Sequence, residues 1–544
     1  MEEEQANEIN IRTKSENSEI NLLKSDHINF KLSLRKKKFN DILSKKRILP
    51  QKPNSSSRPY EFFLSQINFP SNFKIIFSKE EELIKTAIES MKSDDITTVI
   101  YGVCLIKTYF TNFIDDVDIL KNLNLNFVSD LLNLLEKYCE KKEKRIIYNL
   151  LHILTNYSYL NNNNLINKIL LSSKGYKVWE LCFDLQDYEI MGQMVWVLHN
   201  ITYKENEGAY NLLKSNFFKN KLFSFYSNQS ILQHMNEKNT ENIFHLIIEC
   251  GINLFSNLIP IDFTSTCEHM YKLNLFFPVF DLLLKYAMSN SEKIYFICIY
   301  ALCISIDCEL NLVNRLDDPI NSNVNIINDI LNKKFFTNEK LVLYANRILG
   351  NYISIKSGLS EEFYLKCIQY EFDIFFGIKL PVVVKETYWV LSNILCDYQN
   401  TVNIIFNNEL FINKTIDNYK NTVELNVIKE IAYFLYTLIE KCGIENFIRL
   451  QEKGIVDITM NHAKRTFNQA SPVINIFKLI DALLFIGKSV ADNFEGRNLI
   501  KEKCEAYGLK ELLEKYENSK NSELLEIIEA INRRYYNETN GIII

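Results

Sequence analysis

The chain has 544 residues, of which 47% are hydrophobic, and it contains only 14 glycines and 9 prolines. This length allows several domains or one extended array, and so few turn-forming residues favour long helices over sheets. The net charge of −5 is unevenly spread, because residues 1–58 carry +5 and the rest of the chain carries −10. A basic arm on an acidic body can bind to that body.

The cysteines and the apolar runs indicate the compartment. The twelve cysteines are scattered singly, without the CxxC spacing of a zinc site. They predict reduced core thiols in a cytosolic or nuclear protein. The N-terminus lacks the features of a signal peptide. The longest uncharged apolar run, residues 294–306, is shorter than the roughly 20 residues that cross a bilayer. We therefore expect a soluble protein without membrane insertion.

The first part of the chain predicts an arm and a linker. Residues 1–30 are polar and lack sustained periodicity, which is typical of disorder. Eight basic residues and a single acid, Asp41, follow within 31–47, and prolines and serines punctuate 50–72. We therefore divide the chain into a basic, largely disordered arm (1–49), a linker (50–74), a solenoid (75–535) and a tail (536–544).

The predicted solenoid contains a repeated motif. Residues 193–200 and 386–393 each place an aromatic and an asparagine four positions apart, with a polar residue three positions before the aromatic. The last position of this motif recurs at Asn156, Asn200, Asn257, Ile304, Asn351, Asn393, Thr437 and Phe485, with spacings of 44, 57, 47, 47, 42, 44 and 48 residues. Such periods are typical of armadillo and HEAT repeats. We predict an all-α, right-handed superhelical solenoid of about ten armadillo repeats with a long concave groove.

The motif side chains lie beside the predicted core stripe. In the later copy Val390 and Leu391 belong to the core, whereas Glu386, Trp389 and Asn393 share the neighbouring helical face. An asparagine amide can both donate to and accept from the backbone of an extended peptide. Tryptophans one repeat apart can form slots for lysine or arginine stems. One such motif is more often packing, but two copies in register favour recognition.

These residues resemble the importin-α family, the armadillo-repeat adaptors of nuclear-localisation-signal cargo. Residues 386–393 look like the family's seventh-repeat motif, 194–201 like its third and 344–351 like its sixth, and 498–513 match its last repeat. The resemblance implies a nuclear import adaptor that shuttles between cytoplasm and nucleus. Its implied partners are basic cargo peptides in the groove, importin-β on the arm, and an export factor on the C-terminal repeats for recycling.

The resemblance also implies three sets of site residues. The implied minor site consists of Arg347, Asn351, Glu386, Trp389, Asn393, Glu430 and Tyr433. The implied major site consists of His152, Asn156, Gln193, Trp196, Asn200 and Asn257. The implied importin-β-binding and autoinhibitory residues of the arm are Arg35, Lys36, Lys37, Lys38, Lys45, Lys46 and Arg47.

Several alternatives remain beside this hypothesis. By composition alone, the arm fits an ordinary nuclear-localisation or nucleic-acid-binding tail equally well; combined with the repeats, it favours importin-β and no nucleic acid. No nucleotide-binding, metalloprotease or serine-hydrolase motif occurs, so we expect neither an enzyme nor a cofactor or metal.

Departures from the family pattern predict a divergent member. His152 and Asn253 replace two of the three tryptophans expected in the major site. We therefore expect the minor site to bind basic peptides better than the major site. The alternative function is an armadillo scaffold that has lost import duty and binds a non-nuclear partner.

Overall fold

The computed structural model describes most of residues 80–536. Its gaps are residues 113–124, 161–163, 203–205, 229–240, 259–275, 288–291, 318–324, 333–337, 357, 467–469, 492–496, 518 and 520. The predicted arm and linker and nearly all of the predicted tail lie outside the described residues, and with them all seven arm residues assigned to importin-β.

The regular elements of the described residues are all helical, and they group into two compact units, Met1–Glu309 and Leu310–Ile544. The helices of the first unit are α1 (Glu80–Met91), α2 (Ile96–Asn112), α3 (Leu125–Glu140), α4 (Lys144–Leu160), α5 (Asn164–Leu170), α6 (Ser173–Asp184), α7 (Tyr188–Thr202), α8 (Asn206–Lys214), a π-helical turn (Phe218–Leu222), α9 (Phe223–Ser227), α10 (Glu241–Leu258), α11 (Phe276–Ala287) and α12 (Glu292–Cys308).

The second unit continues the same pattern of short and long helices. Its elements are a 3-10 helix (Leu310–Arg315), α13 (Ile326–Asn332), α14 (Glu339–Ile355), α15 (Glu361–Gly377), α16 (Pro381–Asp397), α17 (Thr401–Asn407), α18 (Glu409–Asn421), α19 (Leu425–Lys441), α20 (Ile444–Glu452), α21 (Ile455–Arg465), α22 (Ala470–Ser489), α23 (Leu499–Ala506), α24 (Leu509–Tyr516) and α25 (Ser522–Tyr535).

Within each unit, the helix that closes one repeat packs against the helix that closes the next. We call these the ladder helices: α2, α4, α7, α10 and α12 in the first unit, and α14, α16, α19, α22 and α25 in the second. The eight predicted motif positions, from Asn156 to Phe485, all lie on ladder helices. This packing of each repeat on the next confirms the prediction of an all-α solenoid of repeats. A repeat that cannot bury its own apolar face buries it against its neighbours.

Local sequence signals set the helix boundaries. Asparagine and serine side chains accept hydrogen bonds from backbone N–H groups at helix starts, as Asn338 does before α14 and Ser360 before α15. Pro381 is the first residue of α16, where its missing N–H removes no helical hydrogen bond. The polar residues between the apolar runs therefore separate one helix from the next.

The core is apolar and rich in aromatic rings. Tyr388, Phe411 and Phe434 are fully buried in the second unit, and Phe411 lies with its ring centroid 4.6 Å from that of Phe375. The cysteines with a described side chain are free thiols, buried except for the half-buried Cys396, in agreement with the predicted core role. Among the described helices, none is long and apolar enough to cross a membrane.

Phe411→Ala is expected to lower the free energy of unfolding by about 3–5 kcal/mol, because it leaves a cavity among rings that cannot close around it. The neighbouring Leu410 is 72% exposed, so Leu410→Ala is the matched control and is expected to change stability by no more than about 0.5 kcal/mol. Urea unfolding of the full chain measures both variants. Equal losses would contradict the described packing of α18.

Candidate functional site

The two copies of the motif lie on ladder helices of different units. Gln193, Trp196 and Asn200 belong to α7 in the first unit. Glu386, Trp389 and Asn393 belong to α16 in the second. The copy on α7 packs against the preceding ladder helix α4, and the copy on α16 packs against α14.

Asparagine joins neighbouring ladder helices in both units. The Asn200 amide nitrogen donates to the Thr155 carbonyl oxygen at 3.1 Å and to the Ser158 hydroxyl at 3.3 Å. The Asn393 amide nitrogen donates to the Gly350 carbonyl at 3.0 Å and to the Ser354 hydroxyl at 2.9 Å. The accepting carbonyl in each case belongs to the residue just before the preceding motif asparagine. The amide donors predicted to hold a peptide therefore hold the adjacent repeat.

Four other polar atoms of the first-unit site are buried without hydrogen-bond partners among the described residues. These atoms are the amide oxygens of Asn156 and Asn200, the Gln193 amide nitrogen and the Trp196 indole nitrogen. All four side chains are at most 3% exposed. An unpaired buried polar group costs about 1–3 kcal/mol, so the α4–α7 contact holds two acceptors and two donors whose interactions are unmet.

His152 takes the place of an expected tryptophan and lies next to Asn156. Its ring nitrogen Nδ1 is 3.4 Å from the Asn156 amide nitrogen, and its ring is tilted against that of Tyr148. The structure thus brings His152, Asn156, Gln193, Trp196 and Asn200 together on two adjacent helices. The backbone of the sixth predicted major-site residue, Asn257, lies on α10.

Both motif tryptophans are buried, in contrast to the predicted open slots. Trp196 is 3% exposed and Trp389 is 4% exposed. The reason is visible at Trp389, whose ring lies so close to Gly350 on α14 that a Cβ atom there would overlap it. A glycine on the neighbouring ladder helix lets the ring fold onto that helix instead of extending away from it.

Glu386 forms ion pairs with cations of the chain itself. Its side chain is 0% exposed, and its Oε1 lies 3.3 Å from Arg347 Nε and 2.9 Å from Lys385 Nζ. Arg347 reaches this carboxylate from the adjacent repeat and Lys385 reaches it from the same helix, so Glu386 is already paired within the chain.

A second buried acid lies on α15, the helix before Glu386. Glu371 is 0% exposed, and its Oε2 accepts a hydrogen bond from the Asn346 amide nitrogen at 3.2 Å. Burial raises the pKa of Glu371 well above the usual range and the charge of Glu386 raises it further, whereas hydrogen bonds from Thr387 and Asn346 oppose the shift. Glu371 lies outside the repeated motif, so the motif gave no signal for it.

The remaining minor-site residues lie on α14 and α19, the ladder helices on either side of α16. Asn351 on α14 is 4% exposed, and Glu430 on α19 is 7% exposed. Tyr433, also on α19, is half-buried, with its ring centroid 6.0 Å from that of Tyr436. Burial raises the pKa of the Tyr433 hydroxyl far above its usual range, so this residue is neutral.

The partners of the motif asparagines carry a sequence signal that the motif search missed. On the helix that accepts the hydrogen bonds, a small residue precedes the motif asparagine: Thr155 before Asn156 and Gly350 before Asn351. A serine follows that asparagine by two or three residues. The motif positions are the polar residue, the aromatic and the asparagine, so these partner residues lie outside it. Within the described part of the chain, no cluster of histidine, cysteine and acidic side chains could hold a metal ion.

Comparison with known proteins supports the fold. No protein-family model matches the chain, and no curated protein matches it. One similar solved chain comes from a structure of the interaction between cadherin and beta-catenin, with 10% identity and a TM-score of 0.53 over 87% of this chain and 94% of that chain. A designed armadillo repeat protein is similar at 13% identity and a TM-score of 0.33, over 46% of this chain and 98% of that chain. The fold is that of armadillo-repeat proteins.

Gly350→Ala is expected to destabilise the chain by about 1–3 kcal/mol, because the added methyl group forces the Trp389 ring out of its place. The control is Gly377→Ala, since a Cβ atom at Gly377 would meet nothing within 4 Å. Urea unfolding gives the stability of each variant, and quenching of tryptophan fluorescence by acrylamide reports the exposure of the ring. A Gly350→Ala variant as stable as the control would disprove the close packing of Trp389 on α14.

Proposed function

We propose that this chain is a nuclear import adaptor that binds extended basic peptides along its ladder helices and importin-β through residues 31–47. The observation that carries the proposal is the set of four unpaired polar atoms between α4 and α7. Two acceptors and two donors suit a peptide backbone, since each residue of an extended chain offers one N–H group and one carbonyl. Because all four atoms are buried, a peptide would reach them only where α4 and α7 part.

The charge distribution supports a basic ligand. The chain beyond residue 58 carries −10, whereas the arm carries +5. Long-range attraction between an acidic body and a basic peptide speeds their association. The same attraction draws the basic arm to the body, as the proposed autoinhibition by Lys45, Lys46 and Arg47 requires. The adaptor would shuttle between cytoplasm and nucleus, with an export factor on its C-terminal repeats and no enzymatic activity or cofactor.

The ion pairs of Glu386 change which site we propose as the stronger. A cargo lysine at Glu386 would have to compete with Arg347 and Lys385, both of which already contact the carboxylate. The α4–α7 site has no such competition for its unpaired amide oxygens. We therefore propose, against the expectation from sequence, that the first-unit site binds peptides more tightly than the second-unit site.

Asn156→Leu separates binding from folding. The Asn156 oxygen is buried without a partner among the described residues, so the variant is expected to keep or raise the stability of the chain while binding a single-cluster basic peptide about tenfold more weakly. Calorimetry and urea unfolding measure the two quantities. The matched control is Asn393→Leu, which removes two hydrogen bonds to α14 and is expected to lose stability. Unchanged peptide affinity in Asn156→Leu would contradict the proposed site.

The arm is tested by deletion. Importin-β is expected to bind the full chain and to lose that binding when residues 1–58 are removed, because the basic cluster lies there. A pull-down with purified importin-β measures the difference, with circular dichroism to verify that the helices remain. Binding that survives the deletion would show that importin-β contacts another part of the chain.

The second candidate function is an armadillo scaffold for a non-nuclear protein partner. The neutralised Glu386 favours it, since a site that supplies its own cations has less use for basic cargo. The similar chain from the cadherin and beta-catenin structure shares the fold, which is compatible with either function. A chain that binds neither importin-β nor a basic peptide would favour the scaffold.

A further inference from the structure

We propose that Glu371, on α15, is uncharged and acts as a positioning residue for the Glu386 ion pairs between α14 and α16. In this proposal its carboxyl group carries a proton at neutral pH, so that Glu386 alone bears the negative charge between α14 and α16. Loss of that proton would place two like charges in the interior and loosen the contact. The inference concerns the chain's own charge state and does not depend on the proposed import function.

The two acids of this cluster have different partners. Glu386 contacts Arg347 and Lys385. Glu371 has no ion pair among the described residues, and its Oε2 accepts from the neutral amide of Asn346 at 3.2 Å. Both acids are 0% exposed. A buried carboxylate without a cation is strongly unfavourable, and such a group takes up a proton instead.

Two unpaired oxygens also favour a protonated Glu371. Its Oε1 and the Asn346 amide oxygen are both buried without partners among the described residues. An ionised carboxylate can only accept, so it leaves both oxygens unpaired. A protonated carboxyl group has a donor, and the Asn346 oxygen can accept it once the amide is turned by half a turn. This turn exchanges two atoms that are told apart only by their hydrogen bonds.

The other charged groups near Glu371 do not supply a free counter-charge. On α16, a hydrogen bond from Thr387 lowers the pKa of Glu371, and the charge of Glu386 raises it. Burial raises the pKa values of the neighbouring Cys367 thiol and Tyr370 hydroxyl, so both are neutral. The charged or titratable side chains on the helices around Glu371 include Arg347 on α14, Lys385 and Glu386 on α16, Asp329 on α13, Lys414 on α18, and Cys367 and Tyr370 on α15 itself.

The two lysines of that set are already bonded elsewhere. Lys385 contacts Glu386, and the Lys414 ammonium donates to the Phe375 carbonyl at 2.8 Å. Arg347 likewise contacts Glu386 at 3.3 Å. All three cations are thus bonded to groups other than Glu371, which has no cation in direct contact among the described residues.

The direction of the pH dependence follows from the raised pKa of Glu371. The folded chain holds this proton more tightly than the unfolded chain does. The resulting contribution to stability is fully present below the unfolded pKa of a glutamate, and it is lost as the pH rises through the folded pKa. A glutamine of the same shape is neutral at every pH, so its contribution to stability would not be lost as the pH rises.

The test compares the full chain with Glu371→Gln in urea unfolding between pH 5 and pH 9. The unfolding constant of the wild type is expected to rise relative to that of the variant by up to about tenfold per pH unit, the limit for one proton. Glu362→Gln is the matched control on the same helix, because Glu362 is exposed, pairs with Lys366, and has a pKa lowered chiefly by that hydrogen bond. Equal pH slopes for the wild type and Glu371→Gln would overturn the proposal.

Infrared spectroscopy tests the protonation state of Glu371 in the wild type itself, so the result does not depend on the folding of a variant. The folded wild type at pH 7 is expected to show the C=O stretch of a protonated carboxylic acid. This band is expected to weaken in Glu371→Gln and to remain in Glu362→Gln. A wild-type spectrum without such a band would mean that Glu371 is ionised, and would overturn the proposal even if Glu371→Gln did not fold.

Discussion

The asparagine that joins one ladder helix to the next is the contact on which the site geometry depends. Asn200 and Asn393 each donate to a backbone carbonyl of the preceding ladder helix and to a serine one turn along. Asparagine is a poor helix former, so its recurrence inside long helices needs a compensating interaction. A side-chain amide that bonds a neighbouring backbone supplies it, because a short side chain holds two helices close together. The positions of the tryptophans and of Gln193 and Glu386 on the same faces follow from that spacing.

The same motif leads to different chemistry in the two units. Between α4 and α7 the bonds made by Asn200 leave buried polar atoms unmatched, including its own amide oxygen. Between α14 and α16 a glycine admits the Trp389 ring, and Arg347 and Lys385 neutralise Glu386. The α4–α7 contact therefore leaves amide groups unmatched, whereas Glu386 has cationic partners within the chain. The copy with the best-preserved sequence is thus the more self-contained of the two.

The repeat pattern could be predicted from sequence because it depends on local properties. Apolar periodicity and few breakers specify helices, and the spacing of the motif places Asn156 through Phe485 on ladder helices. The burial of Trp389 could not be predicted, since it depends on Gly350 in another repeat. The ion pair between Arg347 and Glu386 joins residues 39 positions apart, and Glu371 lies outside the motif altogether. Helical periodicity predicts the face of a helix on which a side chain lies. The residues that cover that side chain depend on the neighbouring helix.

The spacing of the asparagine contacts has a consequence for biosynthesis. The amide-to-carbonyl hydrogen bonds of Asn200, Asn393 and Asn475 span 45, 43 and 46 residues. None of these bonds needs a distant part of the chain, so contacts of low sequence separation can form early. A ladder helix leaving the ribosome can pack on the one made just before it while later repeats are still being translated. The exposed apolar edge of the growing protein then stays about one repeat wide throughout synthesis.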